Sequence, residues 1–449
     1  MGQPIPTEQH SLLGPVEEAS LYHSIDGFGF FSLNTRRPGE EMQQTSYKLD
    51  QLPSVLESID PESDTWISQA EFFKPNRQVV NLLRINMLFV DLDTYREPWA
   101  YGRTPDQLVE SIKYYCAADG IPIPSLFNFS GRGVQVKWLL DGPLPRRALP
   151  RWNACQRHLI NRLLFLGADK IAKDGSRILR VVNTVNTKSN KECKVVQIES
   201  DGAGSPIRYN FDYLCEILLP TDRSTIEDSR RNRKQDKNFR CIPGNKPNGI
   251  RPLSSRQLAW DRLEDLRKLI SMRGTVPVGE RMLFLFWMIN FLWLSGATNS
   301  NKMYQEACVL ANEIDPSWSY REKELKTLHE KGKAYEYGEK VDFLGKKYNP
   351  LYTPKNSTLI DTFGVSHDEQ LQLKTIISKD LSKERKRTRD RKNSEERRRN
   401  AGSINREFYE EHARKHYHEV MKLKEEGLSL RDIAEQIGIS KSKVSYLLR

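Results

Sequence analysis

The chain has 449 residues, more than one hydrophobic core usually accommodates, so two or three domains are expected. It carries 70 Lys and Arg against 59 Asp and Glu, a net charge of +11 with the excess late in the chain; this suits a polyanionic partner or a solvated charged face. Its six cysteines, Cys116, Cys155, Cys193, Cys215, Cys241 and Cys308, form no C-x-x-C pair, which argues against a zinc ribbon or a disulfide scaffold and points to a reducing cytoplasm. The first residues show no basic-then-apolar signal pattern. The most apolar run, residues 282–294, is shorter than the roughly 20 residues of a bilayer crossing and predicts a buried helix, so no membrane partner is expected.

Residues 1–60 mix Pro, Gly and polar residues, with one short strand expected over 28–33 and another over 66–73. The run Met87-Leu-Phe-Val90 then predicts a strand buried on both faces. It ends in Asp91-Leu92-Asp93, and residues i and i+2 of a strand share a face. Two carboxylates so placed repel each other unless a cation lies between them, and Mg²⁺ or Mn²⁺ is the natural one for hard oxygen donors. Paired metals among carboxylates are a common engine of nucleotidyl transfer. The bland alternative is that Asp-x-Asp only starts a turn.

Thr104-Pro-Asp-Gln107 reads as a helix start with a capping box, followed by a stripe of Leu108, Ile112 and Tyr115 or Cys116. Residues 126–129 and the alternating Val134, Val136 and Trp138 predict a hairpin whose tip is Ser130-Gly131-Arg132-Gly133. Asp141-Gly-Pro reads as a turn ending that hairpin. Residues 151–166 predict a helix closed by Gly167, and residues 195–198 another strand. Mixed strands and helices up to about residue 215 define an α/β (α+β) domain.

Domain boundaries follow as 1–220 for the α/β domain, 221–254 for a linker, 255–345 for an all-α module, 346–407 for a charged basic linker and 408–449 for a small C-terminal domain. Ser319-Tyr-Arg-Glu322 reads as a capping box in the helical module. The tract 378–406 is a solvated helix or a disordered arm, either of which can lie along phosphates. Ser429 caps a helix to Ile437, Gly438-Ile-Ser440 turns, and Lys441 opens the next helix, a helix-turn-helix pattern. Lys441, Ser442, Lys443, Ser445 and Tyr446 would be its DNA-facing side chains, the alternative being a helical interaction domain.

Phe89-Val-Asp91-Leu-Asp93, Ser130-Gly-Arg-Gly-Val-Gln135, Ala168-Asp169 and Arg177-Ile-Leu-Arg180 with Asn183 to Lys188 stand in one order. This order resembles the archaeo-eukaryotic primase superfamily, in particular the replication primases of plasmids and other mobile elements, over about residues 60–200. The helical module is similar, more loosely, to the one that follows the catalytic domain in many such primases. The resemblance implies a metal-dependent nucleotidyltransferase that makes primers on single-stranded DNA from NTPs or dNTPs. Asp91, Asp93 and Asp169 would hold Mg²⁺ or Mn²⁺, with Asp174 the runner-up for the third acid and Asp141 a weaker one. Ser130, Gly131, Arg132, Gly133, Gln135, Arg177, Arg180 and Lys188 would face the nucleotide.

Two departures stand out. Gln135 occupies the place where the general family pattern has His, although some plasmid members look similar in having Gln; Gln hydrogen-bonds but carries no charge. The segment 181–184 lacks the Pro-Gly of the plasmid members. Catalytically inactive initiator or DNA-binding regulator is therefore the rival reading, with a nuclease using the same carboxylates behind it. The C-terminal pattern implies origin duplex as a second DNA partner. No Walker A sequence is present, which implies a separate replicative helicase.

Overall fold

The computed structural model describes residues 11–37, 39–219, 250–343, 345–400 and 406–448. The N-terminal hexapeptide, Cys241 and most of the expected linker 221–254 lie outside the described residues. The chain divides into two compact units, Met1–Ile376 and Ile377–Arg449.

The first unit is built on a mixed sheet. Its strands are β1 (Phe30–Arg36), β2 (Gln43–Lys48), β3 (Asp64–Ser68), β4 (Ala70–Phe72), β5 (Leu82–Leu92), β6 (Leu126–Phe129), β7 (Val134–Pro145) and β8 (Ile178–Arg180). A separate ribbon, β9 (Val185–Asn186) with β10 (Lys191–Glu192), precedes β11 (Lys194–Ile198) and β12 (Arg208–Tyr209). Among the described residues the sheet order is β11-β6-β7-β5-β4-β1-β3-β8, with β2 added on β1 and β12 on β7. All pairings within it are antiparallel except β12 on β7.

The central strand is β5, longer than the apolar run alone suggests. Met87, Leu88, Phe89 and Val90 are all fully buried, as a strand covered on both faces requires. Its partner β7 does not stop at Asp141; it continues so that Leu144 and Pro145 pair with Ile85 and Arg84 after a bulge. Asp141 is thus an exposed strand residue that accepts a hydrogen bond from Asn210 at 3.2 Å, which corrects the turn reading. The strand expected over 66–73 is two strands, β3 and β4, broken at Gln69, whose backbone N–H donates to the Arg177 carbonyl at 2.9 Å.

Helices cover the sheet. These are α1 (Pro15–Ser20), α2 (Leu52–Glu57), α3 (Pro105–Ala118), α4 (Leu149–Arg162) and α5 (Phe211–Leu218). The capping box of α3 is present: the Thr104 hydroxyl accepts from Gln107 N at 3.3 Å and Gln107 Oε1 accepts from Thr104 N at 3.0 Å. Helix α4 covers the edge of β5 left open beyond β4. There Trp152 Nε1 donates to the Met87 carbonyl at 2.9 Å, and Gln156 bonds both backbone groups of Phe89. Lys137, in the middle of β7, is fully buried and pairs with Glu18 of α1 at 2.5 Å, so β7 has no solvated face there.

The same unit continues into a helical region, and α/β domain followed by all-α region is the fold class that the hydrophobic patterning predicts. Its helices are Ile250–Arg273, Arg281–Ser295, Met303–Ile314, Glu322–Glu336, Asn356–Phe363 and His367–Gln372. The apolar run is the core helix Arg281–Ser295, closed by Gly296 in the left-handed region at φ 73°. The helix expected to start at Ser319 starts later: Arg321 is its cap, and the Glu324 carboxylate accepts from Arg321 N at 2.9 Å. Asp265 accepts from the backbone of Lys374, Thr375 and Ile376, tying the end of the unit to the helix Ile250–Arg273. No helix among the described residues is long and apolar enough to cross a membrane.

In the second unit the mixed-charge tract forms the helix Lys379–Asn400, with Leu381 its buried residue. The helices Arg406–Glu425, Leu430–Ile437 and Lys441–Leu447 follow. Val420, Ile433 and Val444 form the core of these three, with Leu423, Leu428, Ile437, Ile439 and Leu447 packed around it. Ser429 and Ser440 cap the last two helices through hydrogen bonds to Asp432 N and Lys443 N, and Gly438 turns the chain between them at φ 72°.

Candidate active site

Three backbone pairings bring the acidic residues together. After Asp91 the chain of β5 meets residues 167–169 edge to edge: Asp169 N donates to the Asp91 carbonyl at 2.9 Å, and Asp93 N donates to the Gly167 carbonyl at 2.8 Å. Leu92 and Ala168 form the antiparallel bridge between these bonds. Residues opposite each other in such a ladder share a face, as do i and i+2. Asp91, Asp93 and Asp169 therefore project from one face of the sheet. On the other side Asp91 stands opposite Gln135, and Gln135 opposite Asn128, extending the same row across β7 and β6.

Asp174, the rival for the third acid, is elsewhere. Its carboxylate binds Lys302 Nζ at 2.6 Å and Ser176 Oγ at 2.7 Å, outside the row. The side chain of Asp169 instead meets Arg177 at 2.9 Å, and that of Asp93 meets Arg96 at 3.2 Å.

The glycine-rich tip is a tight turn packed on this row. Ser130 N donates to the Gly133 carbonyl at 2.9 Å, and the Ser130 hydroxyl lies within hydrogen-bond distance of Gly133 as well. Asn186 Nδ2 donates to the Ser130 carbonyl at 2.8 Å and joins the turn to the β9–β10 ribbon. Gly131, at φ 88°, leaves no room for a side chain: a Cβ would lie 2.6 Å from that of Asn186. Beyond the turn, the Arg132 guanidinium stacks on Tyr95 at 4.3 Å.

A cavity of about 400 Å³ opens beside the row. Of the residues expected from sequence, Asp91, Arg132, Gln135, Arg177, Arg180 and Lys188 line it. Ser130, Gly131 and Gly133 do not; they shape the turn behind it. Arg36, Met42, Trp66 and Ile178 complete the wall, and sequence reasoning missed them. Arg36 and Arg180 both lie over the Trp66 ring, at 5.5 and 4.7 Å, and both bind the buried Asp64, at 2.8 and 2.6 Å. Burial would raise the Asp64 carboxyl, but hydrogen bonds from Arg36, Thr187 and Arg180 outweigh it and hold the group well below the usual carboxylate range.

Asp91 behaves in the opposite way. Burial pushes its carboxyl up to about 6, Arg177 opposes the shift, and the neighbouring Asp93 and Asp169 reinforce it. Asp93 is raised as well, by burial first, with Arg96 opposing and Asp169 adding to the shift. A carboxyl raised by burial and by two neighbouring carboxylates, in the wall of a cavity rich in arginine, marks a functional-site candidate.

The donor set consists of hard oxygens, which fits Mg²⁺ or Mn²⁺ in kind. Gln135 Oε1 and Arg132 Nε are buried without a hydrogen-bond partner beside it, so two polar groups of this wall are left for a ligand. As the side chains stand, no group of three His, Cys, Asp or Glu among the described residues is close enough to hold an ion together. Arg96 and Arg177 act as the counter-charges of Asp93 and Asp169.

Sheet, helical region and acidic row together form a mixed α/β domain extended by helices. No family model matches the chain. It is similar to a replication protein of Clostridium perfringens, with 28% identity over 337 residues that cover 75% of this chain and 73% of that one. Solved structures similar to it include the AEP domain of the cyanophage S-2L primase-polymerase, with TM-score 0.33 and 14% identity over 45% of this chain and 95% of that one. Primase RepB' is another, with TM-score 0.28 and 12% identity over 71% of this chain and 94% of that one.

Proposed function

We propose that the protein is a replication primase of a plasmid or other mobile element, a metal-dependent nucleotidyltransferase that selects its origin through the C-terminal helices. The observation that carries this reading is the row Asp169, Asp91 and Gln135 with Asp93, beside a cavity walled by five cationic side chains and one acid. The wall suits a nucleoside triphosphate, whose charge Arg132, Arg177 and Lys188 would meet. Arg36 and Arg180 are already neutralised by Asp64 and serve better as the rigid backing of Trp66. Asp91, Asp93 and Asp169 would hold Mg²⁺ or Mn²⁺, which lowers the pKa of an attacking 3′-hydroxyl and stabilises the departing pyrophosphate. Asp91 supplies the most buried of these carboxylates. Gln135 orients it from the neighbouring strand, a role that needs a hydrogen-bonding amide and no charge.

The second unit supplies the DNA-binding part of the reading. Lys441, Ser442 and Tyr446 are exposed on the last helix, with Lys443 and Ser445 half-buried beside them, as a recognition helix requires. Single-stranded template, origin duplex, NTPs or dNTPs and a separate helicase are the partners this function calls for.

The test is primer synthesis on single-stranded DNA with labelled nucleotides and Mn²⁺. Wild type should give product and the Asp91→Ala, Asp93→Ala double variant none; equal product from both would refute the assignment. Deleting residues 408–449 should abolish site-selective duplex binding while general synthesis persists. The uncharged Gln135 favours a second reading, a non-catalytic initiator that keeps the fold as a scaffold. Metal-dependent nucleotide binding that Asp91→Ala removes would decide against it.

A further inference from the structure

The loop that carries Asp169 and Arg177 is held from the far side by the helical region. Lys302, which caps the helix Met303–Ile314, donates from Nζ to Asp174 Oδ1 at 2.6 Å and to Ser176 Oγ at 2.9 Å. Asp174 also accepts from Ser176 N at 3.1 Å, and its carbonyl accepts from Arg177 N at 3.2 Å. Arg77 donates to the Ser176 carbonyl from the opposite side. Between these anchors Gly175 passes so close to the core that a Cβ would touch Leu149 and Leu82, each at 3.2 Å. The residue that leaves this knot is Arg177, which spans Asp169 and the cavity wall.

We infer that Lys302 is a positioning residue of the nucleotide site: by neutralising Asp174 it keeps Arg177 turned to Asp169 and the cavity. The inference rests on the primase reading for its functional consequence, but its structural content is independent of it. The Asp174 carboxylate lies between two classes of cation. Lys302 takes it from the helical region, while Arg177 and Arg77 face it from the sheet side and feel its charge. Without Lys302 a largely buried carboxylate is left with Arg177 and Arg77 as its counter-charges. Arg177 then turns from Asp169 toward Asp174, and the cavity loses a phosphate-facing guanidinium. An ordinary structural ion pair would have no such directional effect. Losing it would loosen the junction and leave the choice of partner by Arg177 untouched.

The experiment uses the full-length chain with Lys302→Met, which keeps the length of the stem, Lys302→Arg, and the double variant Lys302→Met with Asp174→Asn. Hydrogen exchange of residues 168–178 and steady-state kinetics with a nucleoside triphosphate and Mn²⁺ are read together. Lys302→Met should exchange faster across 168–178 and raise KM for the nucleotide on the order of tenfold, the scale of a displaced binding group, with a smaller change in kcat. Lys302→Arg should restore both. The double variant should recover KM, because Asp174→Asn removes the charge that diverts Arg177; a merely structural role predicts that it stays impaired or worsens. Unchanged exchange and KM in Lys302→Met, or a raised KM that the double variant fails to recover, overturns the inference. If wild type makes no product, the primase reading falls instead, and the exchange of 168–178 alone decides the positioning: exchange that is faster in Lys302→Met and returns toward wild type in the double variant sustains it, and exchange that is unchanged in Lys302→Met or stays fast in the double variant overturns it.

Discussion

Gly133 lies so close to the end of β5 that a Cβ would stand 2.3 Å from the Leu92 carbonyl oxygen. That oxygen belongs to the residue between Asp91 and Asp93, so the turn cannot give way without moving the acidic pair. Gly131 adds a positive φ and the contact with Asn186. Gly142, further along β7, has open space around its Cβ position. Gly133→Ala should therefore lower stability in urea by about 1–3 kcal/mol, the range for forced overpacking, while Gly142→Ala stays near wild type. Equal stability of the two variants would show that the turn does not bear on the strand end. At this scale the Asp91/Asp93 pair was legible, because the period of a strand alone puts both on one face. The partnership of Asp169 was not, except through family resemblance, since it arises from a backbone bridge between segments 76 residues apart (Leu92 and Ala168). Arg36 and Trp66 left no signal either: their place at the cavity follows from strand order, which local pattern does not encode.

Secondary elements with their own chemistry at the ends were the most legible. The box at Thr104, the cap at Ser429 and the left-handed Gly167 and Gly438 all stand where local sequence puts them. Elements defined only by partners were not: β2 is an exposed polar strand made by pairing with β1, and β7 runs through Asp-Gly-Pro because β5 continues beside it. The helix Lys379–Asn400 lies between these cases. Its apolar content is too low for a packed face, and pairs such as Arg391 with Glu395 at 3.7 Å support it locally. A helix so exposed and so basic should meet a phosphate backbone through charge alone. Replacing Lys386, Arg387, Arg389 and Arg398 with Gln should flatten the plot of log affinity for DNA against log salt by about 0.9 for each phosphate that is no longer neutralised, without altering site preference. An unchanged slope would take this helix out of the DNA path.

Across the first unit, sheet and helical region are joined by buried charge rather than by an apolar seam alone. Arg267 reaches the Val80 carbonyl at 2.8 Å, Arg146 pairs with Glu264 at 2.7 Å, and Glu306 accepts from Val79 N and Val80 N at 2.9 and 3.1 Å. Glu306 is fully buried, and burial pushes its carboxyl from the ordinary 4.5 up to about 7, although the two N–H donors and Lys302 pull it back. A carboxyl raised on folding is held more tightly by the proton in the native state, so its contribution is greatest below about pH 4.5 and is lost as pH rises through about 7. Each tenfold change in proton affinity corresponds to about 1.4 kcal/mol, so the stability of wild type minus that of Glu306→Gln should fall by on the order of 3 kcal/mol between about pH 4.5 and about pH 8. Asp174, lowered below 3.8, titrates outside this window and does not mask the trend. All eight tryptophans lie in the first unit, so urea unfolding followed by tryptophan fluorescence reports this junction without the second unit. A difference that stays flat with pH would mean that Glu306 is ionised at no penalty, and that the junction is held by its other pairs.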